Sequence, residues 1–281
     1  ADGDPAGNGI RPGSFLKILA AGCSLFLLAG CFPVSASPPS VDLPAETEAS
    51  AVCGEPGTVE RKILDSPTQG YDYEYELYLP PCYEAETDRD YPVLFLIPGR
   101  GSGFQAWFDA GAARVADEMI HAGEMPPLII VATSTTDNDP QADLIHDDLV
   151  PYIDGSCRVK KERRYHAAAG GSLGGVAAYR IVFRDPDRFA SAGIFGNGAT
   201  SGEEEKIRGW LAAMNPSNKT RVFLNVGFSD DYMLGRAKVL ISILDEYQIP
   251  HEEIFSAGGH SYSYWVANLP AYYKWLAEDW R

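Results

Sequence analysis

Residues 164–176 pass from a short apolar stretch into a glycine cluster: Tyr165, His166, Ala167, Ala168 and Ala169 lead to Gly170-Gly171-Ser172-Leu173-Gly174-Gly175. A short apolar run suits a buried strand, and the Ala-rich residues after the second glycine pair suit a helix. A serine held between them occupies a strained turn, and a side chain two residues before or after it would collide with the strand or the helix. The segment is therefore expected to be a nucleophile elbow carrying Ser172. The Gly-x-Ser-x-Gly spacing alone is weak evidence in a chain with 28 glycines. Its strand-turn-helix setting gives it weight.

Flanking segments support a parallel sheet around this turn. Val93 to Ile97 and Leu128 to Ala132 are continuous apolar runs, as expected of strands covered on both faces. Tyr71 to Leu79 alternates large and acidic residues, the pattern of a half-exposed strand, and stops at Pro80-Pro81. Further strands are expected at Phe189 to Phe195, Arg221 to Val226 and Glu252 to Ser256. Helical segments are expected at Ala110 to Ala122, from Pro140 to Ile153, around Glu203 to Met214 and at Leu234 to Tyr247. Alternating strands and helices without an internal repeat imply an α/β architecture, a mostly parallel sheet with helices on both faces.

Chemistry in such sheets gathers at the carboxyl ends of the strands. Three post-strand loops carry suitable residues. Pro98-Gly99-Arg100-Gly101-Ser102-Gly103 would let backbone N–H groups approach a ligand. Gly227-Phe228-Ser229-Asp230-Asp231 offers a carboxylate in a tight turn, with the alternative that adjacent aspartates only cap the following helix. Gly258-Gly259-His260 presents the one histidine of five that falls in a glycine-flanked loop after a strand. Serine, acid and histidine in this order match the α/β-hydrolase triad. In that chemistry His260 accepts the proton of Ser172, Asp230 fixes the imidazole tautomer, and the backbone N–H groups of Leu173 and Arg100 receive the oxyanion. Trp107 and Trp265 lie near these loops in sequence and either line an acyl pocket or pack in the core.

The N-terminal part points to export. Arg11 and Lys17 precede the apolar run Ile18 to Gly30, too short to span a bilayer and suited to a signal-peptide core. Leu28-Ala29-Gly30-Cys31 is similar to a bacterial lipobox, which makes Cys31 the expected lipid attachment site; the alternative is cleavage after a site such as Ser35-Ala36-Ser37. The expected organisation is upstream residues and signal peptide over 1–30, attachment site and flexible linker over 31–52, and one folded domain over 53–281. The expected location is the cell envelope or extracellular surface, lipid-anchored. In an oxidising compartment Cys53 and Cys82 are expected to form a disulfide, the alternative being free thiols at both and at Cys157. No CxxC or HExxH spacing occurs, so no metal and no cofactor is expected. The formal net charge of −16 argues against nucleic acid as a partner.

From Tyr71 onward the chain resembles an esterase group of α/β-hydrolases that includes esterase D or S-formylglutathione hydrolase, feruloyl esterases, enterochelin esterases and mycolyltransferases. The resemblance rests on Tyr91-Pro92-Val93-Leu94-Phe95-Leu96-Ile97-Pro98-Gly99, on Asp148-Leu149-Val150-Pro151-Tyr152-Ile153, on Ala169 to Gly175, and on Gly258-Gly259-His260 with Trp265 following. It implies an α/β-hydrolase fold and selects Asp230 over Asp231 as the acid, with Asp231 left as the expected helix N-cap. Two departures stand out: Pro98 where the group usually has histidine before the glycine, and Gly171 and Leu173 where Leu and Met usually flank the serine. The resemblance implies a serine carboxylesterase acting on small-molecule or carbohydrate-linked esters, feruloyl esterases being the exported relatives most alike. An acyltransferase using the same residues, and a non-catalytic binding lipoprotein, are the alternative readings.

Overall fold

The central strands carry no charged residue and are buried from end to end. In the computed structural model, which describes residues 54–67, 70–134 and 141–280, these are β3 (Val93–Ile97), β4 (Ile129–Ala132), β5 (His166–Gly171) and β6 (Ser191–Phe195), followed by β7 (Arg221–Gly227) and β8 (His251–Ser256). They form the parallel body of an eight-stranded sheet. A hairpin of β1 (Thr58–Ser66) and β2 (Tyr71–Leu79) adds two antiparallel strands at one edge, and the spatial order is β1-β2-β4-β3-β5-β6-β7-β8. This is an α/β-hydrolase fold.

Alternate residues of each central strand face opposite layers. Val93, Phe95 and Ile97 join one core with Val176, Tyr179 and Leu240, whereas Leu94 and Leu96 join a second core with Trp107, Val115 and Trp265. The first layer is built by α3 (Gln141–Leu144), α4 (Val150–Ser156), α5 (Leu173–Arg184), α6 (Glu204–Ala213) and α7 (Asp231–Glu246). The second is built by α1 (Ala106–Asp109), α2 (Ala112–His121) and α8 (Tyr262–Ala277). A π-helical turn, Ile145–Leu149, joins α3 to α4.

The expected strands all form, β2 and β3 with the expected ends and the others with ends shifted by at most two residues. Besides short turns and the four-residue α1, two longer elements lie outside the sequence-based expectations. β1 carries Glu60, Arg61 and Lys62 in succession, so it has no clean alternation; it is held by its ladder with β2 and is exposed along most of its length. Charges on such an edge also discourage pairing with another chain. α8 is apolar almost all round and contains Pro270, so it shows no helical stripe; its buried residues, among them Trp265, Leu269, Tyr272 and Leu276, sit against the sheet.

Among the described residues no helix is long and apolar enough to cross a membrane. Cys31 and Cys53 lie outside the described residues. Cys82 takes part in a disulfide, and its partner lies outside them too. Cys157 is free and half-buried, with its thiol pushed up by burial.

Candidate active site

Ser172 joins β5 to α5 with φ +53° and ψ −118°, a strained conformation for a residue with a side chain. The turn is tight because β3, β5 and α5 meet there. A Cβ on Gly174 would lie 2.2 Å from the Ile97 carbonyl oxygen, and one on Gly170 would lie 2.4 Å from the backbone of Gly174. Close approach therefore excludes side chains at both positions. The serine backbone is tied down as well: its N–H donates to the Phe195 carbonyl at 2.8 Å, and its carbonyl accepts from Gly175 N–H at 3.0 Å and from Asn197 Nδ2 at 2.8 Å. Those bonds fix where the hydroxyl starts from.

The loops after β7 and β8 are stitched together by their backbones. Phe228 N–H donates to the Ser256 carbonyl and Ser229 N–H to that of Gly258, at 2.8 and 2.9 Å. A Cβ on Gly227 would meet the Gly258 backbone at 2.4 Å, so only glycine permits this approach. The consequence is that Asp230 and His260 face each other. His260 Nδ1 lies 2.6 Å from Asp230 Oδ2. With Nδ1–H donating to the carboxylate, the other ring nitrogen is the acceptor. The imidazole also stands edge-on to Trp265, with ring centroids 5.1 Å apart.

Asp230 occupies the N-cap position of α7, yet its side chain makes no capping bond because it is committed to His260. Asp231 is the first residue inside the helix, which corrects its expected role as the N-cap: α7 begins at Asp231 rather than near Leu234. No direct hydrogen bond joins His260 to Ser172. Such contacts are commonly long without substrate and close in the Michaelis complex.

Leu173 opens α5, so its N–H has no intrahelical acceptor and points from a helix start, where negative charge is favoured. Arg100 lies on the loop after β3, and together with Ser172 and Leu173 it lines a cavity of about 290 Å³. Val176 and Met233 supply apolar wall, while Asn197, Thr200, Tyr232 and Arg236 supply polar groups. Arg236 is itself held by Glu204 and by the Ala199 carbonyl. Trp107 and Trp265 are not in this lining. Both are buried in the second core, and Trp265 lies beneath Gly171 and Gly196, where added Cβ atoms would come within 3 Å of its ring. They are packing residues that support the site.

Asn197 is a site residue that the sequence-based expectations omit. A signal for it exists: Gly196-Asn197-Gly198 follows an apolar strand at the same edge of the sheet as the other loops. Tyr262, whose hydroxyl accepts from Gly99 N–H at 2.8 Å, has no such signal because the contact spans 163 residues. Among the described residues no group of three or more His, Cys, Asp or Glu is arranged to hold a metal.

Comparison with known proteins agrees with this architecture. The Esterase family model, described as "Putative esterase", matches residues 66–276. Similar proteins include an endo-1,4-beta-xylanase/feruloyl esterase of Xylanibacter ruminicola, 28% identical over 167 residues, which cover 53% of this chain and 23% of that protein. An uncharacterized protein of Corynebacterium glutamicum is 26% identical over 258 residues, covering 76% of this chain and 59% of that one. The chain thus spans less than two thirds of either relative. Similar solved structures include a ferulic acid esterase (TM-score 0.69, 20% identity, 80% of this chain and 98% of that one). The S-formylglutathione hydrolase of Staphylococcus aureus is also similar (TM-score 0.61, 17% identity, 79% and 98%). At these identities the solved structures speak for the fold, and the family model, which matches most of the chain, speaks for descent: this chain belongs to the Esterase family.

Proposed function

We propose that the protein is a serine carboxylesterase in which Ser172 is the nucleophile, His260 the base and Asp230 the orienting acid. What carries this reading is the 2.6 Å contact between His260 Nδ1 and Asp230 Oδ2, formed by two loops that end neighbouring strands, at the same end of the parallel sheet as a serine at φ +53° in a strand-to-helix turn. As Ser172 Oγ bonds to the ester carbonyl carbon, its proton passes to His260 and the carbonyl π pair moves onto oxygen. Backbone N–H groups of Leu173 and Arg100 receive that charge. Collapse breaks the bond to the alcohol oxygen, which leaves with the proton from His260. Water then repeats the sequence on the acyl-enzyme, releasing the carboxylic acid and restoring Ser172.

The substrates we infer are aromatic acyl esters of carbohydrates. Two feruloyl esterases among similar proteins, and a cavity with room for one substituted ring between apolar and hydroxyl-bearing walls, support this class. The discriminating experiment offers methyl ferulate, a feruloylated sugar, an acetylated sugar and a short p-nitrophenyl ester. The expected result is release of free ferulic acid, with kcat/KM for the feruloyl esters at least about 10-fold above that for the acetyl sugar, the scale set by filling or leaving empty an apolar pocket. Turnover of the acetyl sugar alone, or acyl transfer to an added sugar in place of hydrolysis, would overturn the assignment.

We further propose export with a lipid on Cys31 and a Cys53–Cys82 disulfide. The lipobox-like Leu28-Ala29-Gly30-Cys31 supports the first and the disulfide-bonded state of Cys82 the second. Labelled fatty acid fed to cells expressing the chain should enter it, and Cys31→Ser should abolish the label; label retained by the variant refutes the anchor. Peptide mapping without reductant should recover the 53–82 pair, and a free Cys53 refutes it.

A further inference from the structure

Tyr262 is the first residue of α8 and lies two residues after His260. Its ring is held edge-on by two indoles, Trp107 at 5.2 Å and 87° and Trp265 at 5.0 Å and 73°. Its hydroxyl accepts Gly99 N–H at 2.8 Å. A Cβ placed on Gly99 would lie 3.5 Å from Ser172 Cβ and 3.7 Å from Tyr262 Oη. The phenol, the nucleophile's side chain and the loop after β3 therefore gather about one point. Through this residue the histidine loop is tied directly to the loop that faces the serine.

We propose that the Tyr262 hydroxyl is a side-chain donor to the oxyanion, acting beside the N–H groups of Leu173 and Arg100; this rests on the esterase reading above. A phenol can accept from one group while donating its proton to another. Here the accepted bond comes from Gly99, and among the described residues the proton meets no protein acceptor. Accepting from an amide polarises the O–H bond and strengthens it as a donor. The two indoles fix the ring, so the donor needs little reorganisation when charge appears on the substrate. On this loop Pro98 has no N–H and the N–H of Gly99 is given to Tyr262, which leaves the oxyanion role to Arg100 N–H and the phenol. As Ser172 Oγ bonds to the carbonyl carbon and His260 takes the serine proton, Tyr262 donates a hydrogen bond to the carbonyl oxygen and keeps its own proton.

Tyr262→Phe preserves the ring between Trp107 and Trp265 and deletes only the oxygen. The expected result is a fall in kcat of about 10²-fold, the scale of losing one oxyanion donor, with KM changed less than about twofold, since the bond strengthens only as charge develops. A trifluoromethyl ketone that adds to the serine should weaken by a similar factor, while the product carboxylate should bind as before. A raised KM with weaker binding of both ligands would mean that the tyrosine only shapes the loop, and would overturn the proposal. If Tyr262→Phe does not fold, ring-fluorinated tyrosine at this position keeps the oxygen while changing its acidity; a kcat that does not respond overturns the proposal equally. Ser172→Ala, assayed in parallel, separates the two readings: activity that survives in that variant ends the serine mechanism. Activity that needs Ser172 but is unchanged in Tyr262→Phe ends only the role assigned to the tyrosine.

Discussion

Ser172→Ala should lower turnover of a p-nitrophenyl acyl ester by about 10⁴ to 10⁶-fold, the range of serine-nucleophile knockouts in hydrolases using a Ser-His-Asp triad. The loss follows from what the residue supplies. Without Oγ no acyl-enzyme forms, so water must attack the bound ester directly, and only the donors around the carbonyl still assist. The fold should tolerate the change. Alanine keeps a Cβ in the same strained turn, and the hydrogen bonds with Phe195, Gly175 and Asn197 involve the backbone of residue 172 rather than its side chain. Circular dichroism and melting temperature close to those of the parent, with turnover collapsed, is the expected pair of measurements. A variant with near-parent turnover would remove Ser172 from the reaction.

Asp230→Asn should cost about 10⁴-fold in turnover, as the equivalent change does in the well-studied serine-protease triad. The reason is the tautomer. The Asp230 carboxylate can only accept, so it requires the proton on His260 Nδ1 and leaves the other nitrogen basic. An amide at this position can donate to Nδ1, which puts the imidazole proton on the wrong side for taking one from Ser172. Because the Asp230 side chain makes no helix-capping bond, the substitution should leave the melting temperature nearly unchanged. Asp231→Ala supplies the contrast. As the first residue of α7 its charge is favourable at the helix start by about 0.3–1 kcal/mol, so stability falls slightly and turnover stays near the parent. The reverse pattern, with the rate lost in Asp231→Ala, would move the acid by one position.

Much of this site is legible in the amino-acid sequence, for a physical reason. The elbow requires glycine where β3, β5 and α5 touch, and the stitched loops require glycine at Gly227 and Gly258, so close backbone approach writes itself into the chain. Strands covered on both faces are likewise marked by unbroken apolar runs, as at β3 and β4. Structure that depends on pairing across long separations leaves no such mark. β1 is a strand because β2 offers it a ladder, not because its side chains alternate. α8 is a helix packed so deeply that no polar stripe marks its period. Asp231 is expected as the N-cap, yet it is the first helical residue, and Asp230 at the N-cap position turns its carboxylate to His260, a contact no local rule contains. Tyr262 belongs with these, its role resting on a bond to Gly99 far away in the chain.

Whether Ser172 is the single nucleophile of a serine esterase is decided by treating the active protein with a fluorophosphonate. Fluoride leaves as the attacking oxygen bonds to phosphorus, and the adduct survives digestion and mass spectrometry. The expected result is one adduct per chain, on Ser172, with activity lost in proportion to labelling and no adduct formed in Ser172→Ala. An adduct on another residue, or full activity remaining after stoichiometric labelling of Ser172, would contradict it.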